Sequence, residues 1–340
     1  MRHRFVSNEP FHLENGTVLP GIEIVYHTYG KLNESRSNVV WICHALTANA
    51  DAESWWTGLV GPGSTVNPDD HFIVCANILG SCYGSSGPLS PNPVSGSPYF
   101  MQFPQVTVRD MVAAHILLRQ HLELPAISLL MGGSMGGYQV LEWAIMEPSV
   151  VQKLFLIATS AAESAWGIAI HEAQRLAIEA DQSWKANHEK AGAAGLKAAR
   201  AIGMLTYRNY TAMTEQQQDP DLDKTDQFKA ASYIRYQGEK LVSRFNAQSY
   251  WLLTKSMDSH NIARSRSVSV NEMLGTIEQP ALVMGVTSDL LCPVAEQQKM
   301  AAGLPSATYI EIDSMFGHDG FLVEATLIGN YLKNWLATIA

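Results

Sequence analysis

The sequence predicts an α/β fold in which a mostly parallel sheet, wrapped by helices, is interrupted by a helical insertion. Three observations carry that expectation. Short apolar, β-branched runs alternate with helix-spaced stretches through the first half of the chain. Strand-like sequence then gives way, from 161 to 275, to Ala-rich amphipathic segments, and it resumes after 275. The expected organisation is a discontinuous core domain of residues 1–160 and 276–340 with a helical lid domain of 161–275 between its halves. With 340 residues, 46% of them apolar and 16% charged, the chain has material for a core of that size and too little charge for a disordered one.

Taken in order, Val39–Cys43, Phe72–Ala76, Ile127–Met131 and Leu154–Ile157 read as strands, because their nearly unbroken apolarity suits a sheet covered on both faces. Between the second and third, Thr107-Val108-Arg109-Asp110 resembles a capping box with Asp in place of Glu. It leads into Met111, Ala114, Leu117 and Leu118, and Pro125 ends the connection. Tyr138 to Met146 is a further apolar, helix-like run. In the inserted block, Glu172 to Glu179, Ala191 to Leu205 and Ala230 to Phe245 carry helical spacing, while the polar stretch Thr214 to Asp226 reads as an exposed loop. Strands return at Pro280–Val286 and Thr308–Ile312, and a final helix is expected from about Phe321 to Trp335.

Charge and cysteine usage exclude several functions. Lys and Arg total 23 against 32 Asp and Glu, a net charge of −9, and no basic run is present to track nucleic acid or an anionic membrane. Cys43, Cys75, Cys82 and Cys292 form no metal-ligand spacing and no disulfide framework, so no metal is expected and a reducing, cytoplasmic setting is. Arg2, His3 and Arg4 lead to Glu9 and Glu14 rather than to an apolar run, unlike a signal peptide, and no stretch approaches a membrane span.

The chemistry concentrates at Gly132-Gly133-Ser134-Met135-Gly136-Gly137, a G-x-S-x-G pattern placed between a strand and a helix. A turn that lifts a serine hydroxyl clear of a sheet brings backbone too close for side chains, hence the glycines. The helix that begins there points N–H groups toward the hydroxyl, which favours developing negative charge. Ser134 is therefore the expected nucleophile, and it needs a base oriented by an acid. Of eleven histidines, His318 alone lies beyond Ser134 in a loop straight after a late strand; His171, His188 and His260 fall in the helical block, with surface or capping roles expected. Asp289 follows the strand ending at Val286, and Asp313, which also follows a strand, is the rival acid. The second oxyanion amide, besides that of Met135, is expected from His44-Ala45-Leu46-Thr47, after an early strand, where His44 alternatively caps or packs a plain turn. The Gly80–Pro88 loop lacks both phosphate-binding glycine patterns and reads as a substrate-side loop, and Cys82, with no base supplied, as an inert thiol.

These motifs resemble the homoserine O-acetyltransferase family of the α/β-hydrolase superfamily, over nearly the whole chain. The resemblance includes His44–Thr47, the Asn77 to Pro88 loop, Gly132–Gly137, Ala173-Gln174-Arg175, Gly195 to Arg200, Leu205-Thr206-Tyr207, Tyr236-Gln237-Gly238, Arg244-Phe245-Asn246-Ala247, Ser288-Asp289 and Gly317 to Leu322. It implies an α/β-hydrolase fold with a helical lid, and a triad of Ser134, Asp289 and His318 with Leu46 and Met135 amides as oxyanion donors. It further implies that Arg200 grips the homoserine carboxylate, with Tyr207 beside it, and that Asp319 meets the ammonium. The implied reaction is ping-pong acetyl transfer from acetyl-CoA to the γ-hydroxyl of L-homoserine, for methionine synthesis, with no tightly bound cofactor and with a homodimer packed through the lid helices. Succinyl transfer, or hydrolysis of a small ester on the same fold, is the alternative. Two departures stand out: Ala48-Asn49-Ala50-Asp51-Ala52, where many members begin Gly-Asp or Gly-Ser, and Cys292, where an aromatic residue is expected.

Overall fold

The computed structural model describes residues 1–339. Its strands are β1 (Arg2–Ser7), β2 (Phe11–His12), β3 (Val18–Leu19), β4 (Ile22–Tyr29), β5 (Val39–Cys43), β6 (Phe72–Ala76), β7 (Leu129–Gly133), β8 (Leu154–Ile157), β9 (Ala281–Val286) and β10 (Ala307–Ile312). Eight of them form one sheet in the order β1-β4-β6-β5-β7-β8-β9-β10, and β2 pairs with β3 in a small ribbon. From β6 to β10 every neighbouring pair is parallel, whereas β4 runs against both β1 and β6.

Helices connect the strands: α1 (Ala52–Trp55), α2 (Val108–His121) and α3 (Met135–Met146) in the first half, then α4 (Ala165–Glu179), α5 (Ala193–Tyr207), α6 (Tyr210–Gln217), α7 (Lys229–Val242), α8 (Ala247–Asp258) and α9 (Val270–Leu274) between β8 and β9. After β9 come α10 (Val294–Gly303), α11 (Gly320–Val323) and α12 (Ala325–Thr338). None of the described helices is long and apolar enough to cross a membrane.

Side-chain alternation along the strands builds the two halves of the core. In β5, Val39, Trp41 and Cys43 point to one face and Val40 and Ile42 to the other, and β8 splits in the same way, Leu154 and Leu156 against Phe155 and Ile157. Trp143 of α3 meets the Trp41 ring edge-on at 4.9 Å on the first face, and Trp56 meets Phe321 at 6.1 Å on the second. Both faces are thereby closed to water, which is why the central strands read as unbroken apolar runs.

Four expectations need correction. Strands β1 and β4 lie outside the predicted set: β1, at the sheet edge, buries only Phe5, and β4 mixes Glu23, His27 and Thr28 with its apolar residues, so neither reads as an unbroken apolar run. Residues 214–217 belong to α6, not to a loop: the Asn209 side chain accepts from the Thr211 amide at 2.7 Å and caps the helix start. The last helix is two, broken at Glu324. His171 and His260 are buried rather than superficial. His171 pairs with Asp258 at 2.8 Å, and His260 stacks on Tyr138 with ring centroids 4.0 Å apart.

A charge network ties the end of the helical segment back to the sheet layer. Buried Glu142 of α3 accepts from Arg109 of α2 at 3.0 Å and from Arg266 at 2.7 Å, while Glu14 joins Arg109 and Arg264, each at 2.8 Å. Removing the central anion leaves Arg266 without a carboxylate partner among the described residues and Arg109 with Glu14 alone, in a site where water reaches both poorly. Glu142→Gln is expected to lower unfolding stability by about 3 kcal/mol, read as a fall in the urea midpoint; an unchanged midpoint would show that the network contributes nothing.

Candidate active site

The turn between β7 and α3 is set by one close approach. A Cβ on Gly136 would lie 2.1 Å from the carbonyl oxygen of Cys43, so the first turn of α3 presses on the end of β5 with no room for a side chain. Ser134, at the apex, is forced to φ 54° and ψ −130°, a left-handed conformation costly for a non-glycine residue. Its own amide donates to the Ile157 carbonyl at 3.0 Å and Thr159 Oγ1 donates to its carbonyl at 2.8 Å, so neighbouring backbone holds the strain in place. The hydroxyl makes no capping bond to α3 and is left for another partner.

That partner is His318. Nε2 of His318 lies 2.9 Å from Ser134 Oγ, and Nδ1 lies 2.7 Å from Asp289 Oδ2. A carboxylate only accepts, so Nδ1–H donates to Asp289 and Nε2 accepts from the serine hydroxyl. The second Asp289 oxygen accepts from the amides of Leu291 at 2.8 Å and Cys292 at 2.9 Å, which fixes the carboxylate. Burial pulls the His318 pKa down, but the charge of Asp289 and its hydrogen bond outweigh that and set it above the ordinary 6.5. Asp313, the rival acid, is exposed and accepts from Thr287 Oγ1 at 3.0 Å instead.

All these groups sit where strands end: Ser134 after β7, Asp289 after β9, His318 after β10 and the His44–Thr47 loop after β5. His44 is not a reacting group. It is fully buried, its pKa pushed down to about 4 by that burial, and its ring donates to the Ala45 carbonyl at 2.9 Å and accepts from the Ile78 amide at 3.2 Å. The neutral ring thereby shapes the loop that carries Leu46. Among the described residues, neither the Leu46 nor the Met135 amide has a hydrogen-bond acceptor, so both remain available to an oxygen above Ser134. Arg244 braces the same loop from outside, donating through Nη1 to the Thr47 carbonyl and, at 2.6 Å, to the Tyr83 hydroxyl.

Above Ser134 opens a cavity of about 480 Å³, lined by Leu46, Arg200, Tyr207, His318 and Asp319 among others. Arg200 and Tyr207 lie on one face of α5; the guanidinium carbon stands 4.9 Å from the Tyr207 ring centre, and buried Nε has no partner among the described residues. Asp319 is 3.4 Å from Arg208 Nη2. Cys82 is mostly buried with its thiol pushed up to about 11, which keeps it protonated. Cys292 is also buried, and its sulfur falls within 4.8 Å of ligand atoms of Asp289 and His318, which makes the triad and this thiol one cluster.

The alpha/beta hydrolase fold family matches the chain over residues 38–325. A homoserine O-acetyltransferase of Trichormus variabilis is 44% identical over 334 residues, covering 97% of this chain and 92% of the relative. The chain belongs to the homoserine O-acetyltransferase family. Among solved structures, the homoserine O-acetyltransferase of Bacillus anthracis superposes with a TM-score of 0.91 at 25% identity, over 99% of this chain and 97% of that one. Esterase E22 superposes with a TM-score of 0.88 at 20% identity, over 99% of this chain and 100% of that one, a likeness of fold alone.

The sequence offers no sign of Arg208 as the partner of Asp319, nor of the brace that joins Arg244 to Tyr83 and Thr47, three residues of separately quoted motifs. Neither leaves a local signal, since each joins residues from distant parts of the chain. The position of His318 offers a direct measurement. Its imidazole, followed by NMR, is expected to titrate above pH 6.5, and Asp289→Asn is expected to bring it below: with the anion removed, only burial and weaker charges remain, and burial disfavours imidazolium.

Proposed function

We propose that this chain transfers an acetyl group from acetyl-CoA to the γ-hydroxyl of L-homoserine through an acetyl-Ser134 intermediate. The observation that carries the reading is the hydrogen-bonded line from Ser134 through His318 to Asp289, at the floor of a cavity lined by Arg200, whose buried Nε has no partner among the described residues, in a chain of the homoserine O-acetyltransferase family. In the first half-reaction the Ser134 proton passes to His318 Nε2 as Oγ attacks the thioester carbon. The oxyanion is received by the amides of Leu46 and Met135, the C–S bond breaks, and the leaving thiolate takes the proton from His318. In the second, the γ-hydroxyl of homoserine gives its proton to His318 and attacks the acetyl-serine, and Ser134 recovers its proton as the ester leaves. No step calls on a metal or a resident cofactor.

Arg200 offers a planar fork to the acceptor carboxylate and Asp319 offers its charge to the ammonium, so the acceptor is oriented by its two charged ends. In this reading residues 161–275 act as a lid over the core of 1–160 and 276–340, limiting the water that would hydrolyse the acetyl-serine. Exposed Leu176, Leu205, Tyr210 and Tyr236 on those helices are apolar surface of the kind a homodimer would cover. The four free thiols suit a reducing, cytoplasmic setting.

Ser134→Ala is expected to reduce turnover on the order of 10^5-fold and to abolish the acetyl adduct seen by intact-mass analysis after mixing with acetyl-CoA alone. Undiminished turnover rejects the covalent route, and release of acetate in place of O-acetylhomoserine when both substrates are present makes the enzyme a hydrolase. Arg200→Ala is expected to raise KM for homoserine by about 10- to 100-fold while KM for acetyl-CoA moves less than about twofold, because the lost fork serves only the acceptor.

A further inference from the structure

The charges lining the active-site cavity exceed what an amino-acid acceptor uses. Four cations face it, Arg200, Arg208, Lys240 and Arg244, against one acid, Asp319, in a chain whose net charge is −9. On the functional reading above, on which this inference rests, the acceptor carboxylate takes Arg200, while Arg208 already lies 3.4 Å from Asp319. Two positive charges are left over. Both are exposed, whereas Ser134 is buried, so they mark the mouth and not the floor. Lys240, on α7, has no ion-pair partner among the described residues; its neighbour Glu239 is taken by Lys197 at 2.6 Å. Arg244 uses Nη1 on two uncharged groups, the Thr47 carbonyl and the Tyr83 hydroxyl, and keeps its full charge, with Nε and Nη2 unbonded among the described residues.

We propose that Lys240, with the unbonded edge of Arg244, binds the diphosphate of the acyl donor at the mouth of the cavity. The thioester arm then runs inward past Thr47 toward Ser134, and the phosphorylated end stays outside, in contact with the lid. An uncompensated cation pair at a half-open rim favours an anionic ligand both by direct contact and by drawing it in from solution. It also gives the enzyme a means to separate a phosphorylated acyl carrier from an uncharged ester of the same acyl group.

The test compares acetyl-CoA with S-acetylpantetheine, which offers the same thioester arm without phosphates, as donors to homoserine. Full-length wild type, Lys240→Ala and Lys240→Arg are measured with each. In Lys240→Ala the ratio of kcat/KM for acetyl-CoA to that for S-acetylpantetheine is expected to fall about fivefold to tenfold, through KM for acetyl-CoA, and Lys240→Arg is expected to restore it. Raising salt from about 50 mM to about 300 mM is expected to raise KM for acetyl-CoA in the wild type, and less steeply in Lys240→Ala. A ratio unchanged within about twofold, or an equal loss with both donors, overturns the proposal and leaves the transferase reading intact. A wild type that acetylates homoserine from neither donor overturns both.

Discussion

The contact between the backbone of Gly136 and the carbonyl of Cys43 is the constraint from which the site follows. Because β5 and β7 are adjacent in the sheet, with Cys43 opposite Gly132, a helix that starts directly after β7 must begin against the end of β5. With no Cβ in the way it begins early, and the chain has one residue in which to reverse direction. Ser134 absorbs that reversal at φ 54°. The same approach sets the Met135 amide, at the head of α3, beside the loop bearing the Leu46 amide, so one packing event presents both the hydroxyl and the two donors that would receive the oxyanion. A side chain at Gly136 would separate them together.

Electrostatics divides the histidines by the same logic. His44, His115 and His260 are buried with no carboxylate partner among the described residues, and burial pushes their pKa values down to about 4, 3 and 3. They are neutral packing groups at any ordinary pH. His318 is buried as deeply, yet its pKa moves up, because Asp289 lies 2.7 Å from Nδ1 and is itself fixed by two amides. Burial thus withholds charge from three rings, while one buried anion returns it to the fourth. Among these four rings the difference comes from the nearness of a carboxylate, not from exposure.

Much of this was legible because it is local. Ser134 sits in a strand–turn–helix pattern readable within a dozen residues, and the capping box Thr107–Asp110 appears with both of its reciprocal hydrogen bonds. The strands buried on both faces, β5 and β8, match the predicted Val39–Cys43 and Leu154–Ile157 residue for residue. What spacing could not decide was the acid, since Asp289 and Asp313 both follow strands; the turn at 287–292 folds its carboxylate inward onto two amides, and the one at 313 leaves its carboxylate in solvent. Strands β1 and β4 escaped because segments that mix polar with apolar residues resemble ordinary surface sequence. Arg208 escaped, and so did the joining of the quoted Arg244 motif to Tyr83, because these partners are remote in the chain and no periodicity records such contacts.

Helix α5 joins the proposed acceptor site to the proposed base. Gly317 has φ 65°, and a Cβ there would lie 2.8 Å from the Tyr207 carbonyl, so the end of α5 rests directly on the turn that carries His318 and Asp319. The Tyr207 ring stands 5.8 Å from the His318 ring, and Arg200 lies over the other reach of the same tyrosine. Arg200 and Tyr207 thus share one helix, and the end of that helix packs against the turn whose imidazole is bonded to Asp289 and Ser134 of the core. On the proposed reading, a group transfer that must outrun water gains from this contact, because the helix that would orient the acceptor hydroxyl also packs against the turn bearing the proposed base, so the placement of both depends on one packing surface.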